Sequence, residues 1–371
     1  MILIKTNRDN LIKPLQIVTG IVERRQTFPI LSNVYIQNHD NEMRFLTSDS
    51  EMQIETAFVH EKSKKQNFAL TVPAKKMQDI LRSLDPDTEV SLLRKDEKLQ
   101  IRSGNSQFSL QILPPEDFPI ITEEHEATAE FSLPQNILKN LLNKVQYAIA
   151  EQDIRYFLNG VLLSVQNGEL ITVGTDTHRL AFASTPTQLN ENNLSVILPR
   201  KTVAELLKLL KDDETPANIK IFPKRVMLSF SGIELVSKVI DGQYPNFNRA
   251  IPAQNDKTFD LDRVSFLHVL QRVSILSNSN ELLRGVRLLI NRDKLCVICK
   301  NAEQEEAYDE IAISYDGEEI DYSLNITYLM DLLNNVSTDT FRLAFANASS
   351  SVLITIPDHD DFKYVIMPMR I

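Results

Sequence analysis

The segment GTDTHRLA at 174–181 sets a carboxylate, an imidazole and a guanidinium close together: Asp176, His178 and Arg179. Such a group suits acid–base catalysis, metal ligation or anion recognition. A second candidate is the CxxC of KLCVICK, Cys296 and Cys299, whose spacing suits zinc or redox chemistry. That run is apolar and reads as a strand. Strand residues three apart face opposite ways, so the two sulfurs diverge and read as packed thiols. The six histidines, His39, His60, His125, His178, His268 and His359, form no ligand spacing, and there is no second CxxC. The nine glycines form neither GxGxxG nor GxxxxGK[ST], and GxSxG and HExxH are absent. The chain therefore carries no recognisable catalytic apparatus and implies neither metal nor cofactor. Two other readings stay open: a hydrolase using His178 with nearby carboxylates, and a protein adaptor with no role on DNA.

With 371 residues, 43% of them apolar, the chain can build two or three domains, each with its own core. It has no apolar run of about 18 residues, and its first residues, MILIKTNRDN, do not read as a signal peptide. A cytoplasmic protein without membrane contact is expected. The net charge of −10 argues at face value against a nucleic-acid partner, but a sum does not say where the charges sit.

The elements that must position these residues show themselves through internal repetition. LSNV at 31–34 recurs as LNGV at 158–161 and LRGV at 283–286, spaced by 127 and 125 residues. VP at 72–73 is matched by LP at 198–199 and LN at 324–325, each 126 residues on. Three related domains in tandem follow: 1–122, 129–248 and 249–371, joined by loop-like stretches at 114–128 and 244–257. Each copy opens with a strand and a helix. The helix faces are Leu11, Leu15, Val18 and Val22; Leu138, Leu141, Leu142, Val145 and Ile149; and Phe266, Leu267, Leu270 and Val273. A second helix follows the VP-like marker, with Met77, Ile80, Leu81 and Leu84, then Val203, Leu206, Leu207 and Leu210, then Leu329, Leu332, Leu333 and Val336. Alternating strands fill the rest. The fold class is α+β: three tandem copies, each with two helices and mostly antiparallel sheets.

Aligned without gaps, GTDTHRLA falls on TSDSEMQI at 47–54 and CKNAEQEE at 299–306. Asp176 then matches Asp49 and Asn301, residue types that make turns by bonding their own backbone. His178 matches Glu51 and Glu303, and Arg179 matches Met52 and Gln304. The acid or amide belongs to the fold; His178 and Arg179 belong to one copy, as a function added to a repeated scaffold would.

Six segments in register then carry a resemblance: TDTHRLA, DIRYFLNG at 153–160, DGQYPNFNRAIP at 241–252, ILSN at 275–278, NAEQEEA at 301–307 and the terminal YVIMPMRI. Together they make the chain, over nearly its whole length, similar to the bacterial DNA polymerase III β subunits, the sliding clamps. The resemblance implies three copies of the clamp fold and a head-to-tail dimeric ring around duplex DNA. It implies a processivity factor that does no chemistry and holds the replicative polymerase, the clamp loader and repair proteins. Basic helix residues (Lys13, Lys75, Lys76, Arg82, Lys139, Lys144, Lys201, Lys208, Lys211) would line the hole, where unspecific phosphate contacts permit sliding. The second helix of copy three, ITYLMDLLNNV, has no such residue.

Carried over position by position, DNA contacts fall on Arg25, Lys75, Gln152, Tyr156 and Phe157, with Lys201 on the helix lining; on their own, Tyr156 and Phe157 read as strand residues. A hydrophobic pocket for partner peptides falls on Leu158, Thr175, Thr177, His178, Arg179, Leu180, Pro245, Arg249 and Ala250. It continues through Asn325, Tyr328, Ser349, Ser351, Val365, Ile366, Met367, Pro368, Met369 and Arg370. Two positions depart from the family pattern: Thr177 is usually glycine and Ala250 usually larger. The dimer interface sets Phe108 and Leu110 against Ile275 and Leu276. Glu303, Glu305, Glu306, Asp309 and Glu310 would face basic residues such as Lys76 and Arg102 on the second chain.

Overall fold

The computed structural model describes residues 1–23, 28–60, 67–122, 126–187, 189, 194–277 and 284–369. One sequence of elements occurs three times. Copy one runs β1 (Ile2–Asn7), α1 (Arg8–Val18), β2 (Asn33–His39), β3 (Glu42–Ser48), β4 (Met52–Val59), β5 (Phe68–Pro73), α2 (Ala74–Ser83), β6 (Glu89–Lys95), β7 (Lys98–Ser103) and β8 (Ser106–Gln111). Copy two runs β9 (Ala129–Pro134), α3 (Gln135–Asn143), β10 (Gly160–Gln166), β11 (Glu169–Thr175), β12 (Arg179–Pro186), β13 (Ser195–Pro199), α4 (Arg200–Leu209), β14 (Pro216–Ile221), β15 (Arg225–Phe230) and β16 (Ile233–Lys238). Copy three runs β17 (Lys257–Asp262), α5 (Arg263–Val273), β18 (Gly285–Asn291), β19 (Lys294–Lys300), β20 (Glu306–Ala312), β21 (Ile320–Asn325), α6 (Ile326–Asn335), β22 (Thr340–Phe345), β23 (Val352–Ile356) and β24 (His359–Ile366).

The VP-like marker is where a strand turns directly into the second helix. Pro73 caps α2 without a side-chain bond, whereas Asn325 caps α6 by accepting from the Thr327 amide at 2.9 Å. Val22, Val145 and Ile149, counted with the helix faces, lie beyond the helix ends. They are buried all the same, because single 3-10 turns at Thr19–Ile21 and Gln146–Ala148 continue two of the first helices.

Contacts divide the chain into two compact units. The first holds Met1–Leu138 and Lys208–Val239; the second holds Lys139–Leu207 and Ile240–Ile371. The reason is that sheets run across copy boundaries. In the first unit an eight-stranded sheet has the order β5-β2-β3-β4-β16-β15-β14-β9, so copy one joins copy two through the antiparallel pair β4·β16. In the second, the order β13-β10-β11-β12-β24-β23-β22-β17 joins copy two to copy three through β12·β24. Each unit also has a four-stranded sheet, β1-β6-β7-β8 in the first and β20-β19-β18-β21 in the second.

Within the first unit α1 packs on α2, and within the second α5 packs on α6. The arginine that opens α1 ties the first of these pairs, and the one that opens α5 ties the second. Arg8 Nε donates to the Leu81 carbonyl at 2.8 Å; Arg263 Nε and Nη1 donate to the Thr338 and Leu333 carbonyls at 2.9 and 3.0 Å. These carbonyls lie at a helix C-terminus or just past it, where a cation is favoured. No helix among the described residues is long and apolar enough to cross a membrane.

Gly174, on β11 before the His-Arg turn, leaves no room for a side chain: an added Cβ would lie 2.4 Å from the Val145 carbonyl oxygen. Backbone cannot step aside cheaply there. Gly174→Ala is expected to destabilise the protein by about 1–3 kcal/mol, read from the urea midpoint; an unchanged midpoint would show that the strand and the Val145 turn are not held together.

Candidate functional site

Asp176 is a turn residue. Its Oδ1 accepts from the amides of His178 and Arg179, both at 2.9 Å. Asp49 does the same for Glu51 and Met52, at 2.9 and 2.7 Å. In copy three Asn301 accepts instead from the Glu305 amide, one residue further on. The ladders agree: Ser48 pairs Gln53, Thr175 pairs Leu180, and Lys300 pairs Glu306. Copy three thus carries one extra residue in this turn. The ungapped match is corrected accordingly, and Arg179 corresponds to Met52 and Glu305, not to Gln304. Thr177 and Ser50 hold the same strained place, with φ of 76° and 75°. A glycine is at ease there and a β-branched residue is not.

Arg179 is the electrostatic centre. Its Nε lies 3.0 Å from Asp176 Oδ2 and its Nη1 2.6 Å from Asp331 Oδ2 on α6. Its guanidinium carbon stands 4.3 Å from the centre of the Tyr328 ring. Only 10% of the side chain is exposed. Burial works against its charge, yet Tyr364, Asp331 and Asp176 together outweigh that, so its pKa lies above the usual arginine value. Nearby, the buried Tyr244 hydroxyl donates to the Val173 carbonyl at 3.2 Å, and burial raises its pKa.

Two cavities flank Arg179 within the second unit. The smaller, of about 200 Å³, is lined by Thr175, Thr177, His178, Arg179, Leu180, Pro245, Ala250, Ser351, Val365 and Met367, with Asn246 and Phe247 in addition. Behind it stands a core cluster that includes Leu162, Val173, Phe182 and Tyr244. The larger, of about 790 Å³, shares His178, Arg179 and Met367 and adds Asn325, Tyr328, Pro368 and Met369 from the expected set. It also holds residues that the sequence did not flag, among them Gln146, Tyr147, Glu151, Arg200 and Asp331. They are scattered along the sequence, in a 3-10 turn, a bend and two helices, and give no local signal. Leu158 and Ile366 are buried in the core and line neither cavity. Arg249 and Ser349 are exposed outside both, and Arg370 lies outside the described residues.

The matching place in the first unit shows what sets the two turns apart. The main chain is the same: the Lys238 amide donates to the Glu51 carbonyl at 2.8 Å, as the Met367 amide does to that of His178 at 2.8 Å. The side chains differ. Gln53 stands where Leu180 does and accepts from the Ile121 amide at 2.7 Å, while Lys238 Nζ faces Glu51 at 3.9 Å.

Of the residues placed on DNA by resemblance, Arg25 lies outside the described residues. Lys75 is half-buried, its Nζ donating to the Thr19 carbonyl at 3.0 Å. Gln152 is exposed at a φ of 53°, and Tyr156 is 58% exposed. Tyr156 and Phe157 belong to a 3-10 turn, Tyr156–Leu158, not to a strand, since Asn159 clamps the preceding loop: its Oδ1 accepts from the Asp153 amide and its Nδ2 donates to the Asp153 carbonyl, both at 2.9 Å. Phe157 packs on the core cluster behind the small cavity. Lys201 is exposed in the first turn of α4.

Among the interface candidates, Ile275 is 79% exposed, Leu276 and Phe108 are half-buried and Leu110 is buried in its own unit. Lys76, Arg102, Glu303, Glu305 and Glu306 are exposed. Several acids already have partners in the same chain: Glu306 with Lys300 at 2.6 Å, Asp309 with Arg272 at 2.6 Å, and Glu310 with Lys294. The two cysteines have separate neighbours: Cys296 Sγ lies 3.2 Å from the Tyr308 hydroxyl, and Cys299 Sγ 3.7 Å from the Gly285 carbonyl oxygen.

Three sequence families match in order: the N-terminal domain of the DNA polymerase III beta subunit over residues 2–122, the central domain over 132–246 and the C-terminal domain over 248–370. The beta sliding clamp of Pseudomonas aeruginosa is 37% identical over 365 residues, which cover 98% of each chain. The crystal structure of the DNA polymerase III subunit beta from the same organism superposes with a TM-score of 0.93 at 36% identity, covering 99% of each chain. A sliding clamp from that organism bound to griselimycin gives 0.94 at 36% identity, covering 100% of each.

Replacing Thr177 by glycine is expected to relieve the left-handed strain and stabilise the protein by about 0.5–1 kcal/mol after the entropy of the unfolded chain is deducted. Thermal and urea unfolding would measure it; a loss of stability would show that the threonine side chain, not its backbone, governs the turn.

Proposed function

Because the chain belongs to the DNA polymerase III β-subunit family, the sliding clamps, we propose that it acts as a head-to-tail homodimeric ring around duplex DNA. It slides without reading sequence and tethers the replicative polymerase, the clamp loader and repair proteins through the cavity at Arg179. It is a processivity factor, not an enzyme. Asp176 is occupied by its turn and by Arg179, which leaves His178 without a partner carboxylate from that turn for hydrolysis.

One observation carries the ring: the two copy junctions use one register. Ile54 pairs Leu235 and Gln53 pairs Val236 in the first; Ala181 pairs Tyr364 and Leu180 pairs Val365 in the second. Each pairs the fourth strand of one copy with the last strand of the next. β20 and β8 are the fourth and last strands left over, and each forms one edge of its sheet. An open edge invites another strand. The same register sets Ala307 against Phe108 of a second chain and Glu306 against Ser109. A heterologous contact of this kind closes if the rotation permits, here after two chains. Ile275 and Leu276 follow α5 as Gln146–Ala148 follow α3 and supply apolar surface beside that edge. Charged rim pairs with Lys76 and Arg102 assist orientation more than stability.

Directly opposed strand residues bring their Cβ atoms to about 4.5–5.5 Å. Ser109→Cys combined with Glu306→Cys is therefore expected to give a disulfide-linked dimer under mild oxidation, while Ser109→Cys with Asp309→Cys does not. The reverse pattern on a non-reducing gel would overturn the register.

On DNA, Lys75, Gln152, Tyr156, Phe157 and Lys201 would make contacts that do not depend on base edges, as sliding requires. The small cavity offers leucine, valine, phenylalanine and methionine surface to a short apolar peptide, and methionine repacks to suit several partners. The deciding experiment loads the protein on nicked circular DNA and then linearises it. A ring linked only by topology is expected to run off the ends. Retention on the linear product would mean chemical binding, and failure to be retained on the circle would mean an adaptor with no DNA role.

A further inference from the structure

The larger cavity has chemistry that an apolar peptide does not use. Its walls hold three carboxylates, Glu151, Asp176 and Asp331, against two guanidiniums, Arg179 and Arg200. Glu151 is paired with Arg200 at 2.5 Å, and Asp176 and Asp331 share Arg179. Among the described residues of these walls, one negative charge is left over. Asp331 is the more open of the two carboxylates on Arg179, with a third of its side chain exposed. A second, independent observation lies in the same walls: the Tyr147 hydroxyl is buried and has no hydrogen-bond partner among the described residues. It sits in the electrostatic neighbourhood of Asp331 and Arg179, with its ring 5.5 Å from that of Tyr364. A buried hydroxyl with unused bonding capacity beside a surplus carboxylate suits an N–H donor that carries charge.

We propose that this cavity receives a basic side chain from the partner segment that flanks the apolar anchors, and that Asp331 is its specificity-determining residue. The proposal rests on the reading of the small cavity as a peptide site, because the two share His178, Arg179 and Met367. Asp331 has two tasks here. One oxygen holds Arg179 against Tyr328; the charge that Arg179 does not cancel faces the cavity.

The test uses three labelled peptides with identical apolar anchors and lysine, alanine or glutamate at the flanking position on each side in turn. Affinities are measured by fluorescence anisotropy at one fixed pH and salt concentration, since exposed charge pairs are screened by salt. The intact protein is expected to bind the best lysine peptide at least about fivefold more tightly than its glutamate counterpart. Asp331→Asn keeps an oxygen for Arg179 but removes the charge. It is expected to bring that ratio within twofold while the alanine peptide changes by less than twofold. Glu214→Gln, an exposed charge in the other unit, is expected to leave the ratio as it was. A ratio near one in the intact protein, or a ratio that survives Asp331→Asn, would overturn the proposal. Equal loss for all three peptides in Asp331→Asn would reduce Asp331 to support for Arg179 and also overturn it. Failure of every peptide to bind the intact protein would instead remove the reading of the small cavity on which the proposal stands.

Discussion

The structure depends on antiparallel pairing between sheets of successive copies. A four-stranded sheet with a free fourth strand has unpaired amides and carbonyls, and these must find partners. The chain meets this demand twice internally, through β4·β16 and β12·β24, and in doing so divides into two units that cut across the three sequence copies. The same constraint leaves β8 and β20 each as an edge of a four-stranded sheet. An apolar patch alone would give attraction without direction; a ladder with a fixed register gives both.

Pairing of copies two and three also builds the site. The β12·β24 ladder brings a turn from one copy against the helix and the final segment of the next. Arg179 fills the gap with a planar cation held by Asp176 of its own turn, by Asp331 and by the face of Tyr328. A lysine could not replace it, since a point charge cannot bond two carboxylates with a flat fork and stack on a ring at once. Buried ion networks of this kind specify arrangement more than they add stability.

Much of this was legible from residues alone. The two markers at a spacing near 126 residues gave the threefold architecture, and hydrophobic spacing located the six α-helices of the described residues. The turn role of Asp176 followed from its match to Asp49. What escaped the sequence was length and distance. The extra residue in the third turn is invisible when an alignment admits no gap, and it appears only when Lys300 is seen to pair Glu306. Asp331 is one acid among several on helix surfaces, and nothing near it in sequence announces that it meets Arg179. Tyr156 and Phe157 read as strand because aromatics favour strands, whereas the Asn159 clamp bends them into a turn. Glu306, Asp309 and Glu310 also meet Lys300, Arg272 and Lys294 of their own copy, since a run of like charges does not reveal which lysines and arginines the fold will bring beside it.

The turns of copies one and two share one main-chain frame and differ only in what projects from it. Heritable change at these positions can therefore alter what the surface recognises while the bonds that join the sheets stay intact. Surface chemistry and cohesion are written on separate atoms: the main chain carries the seam, and the side chains at Gln53 and Leu180 set its character without loosening it.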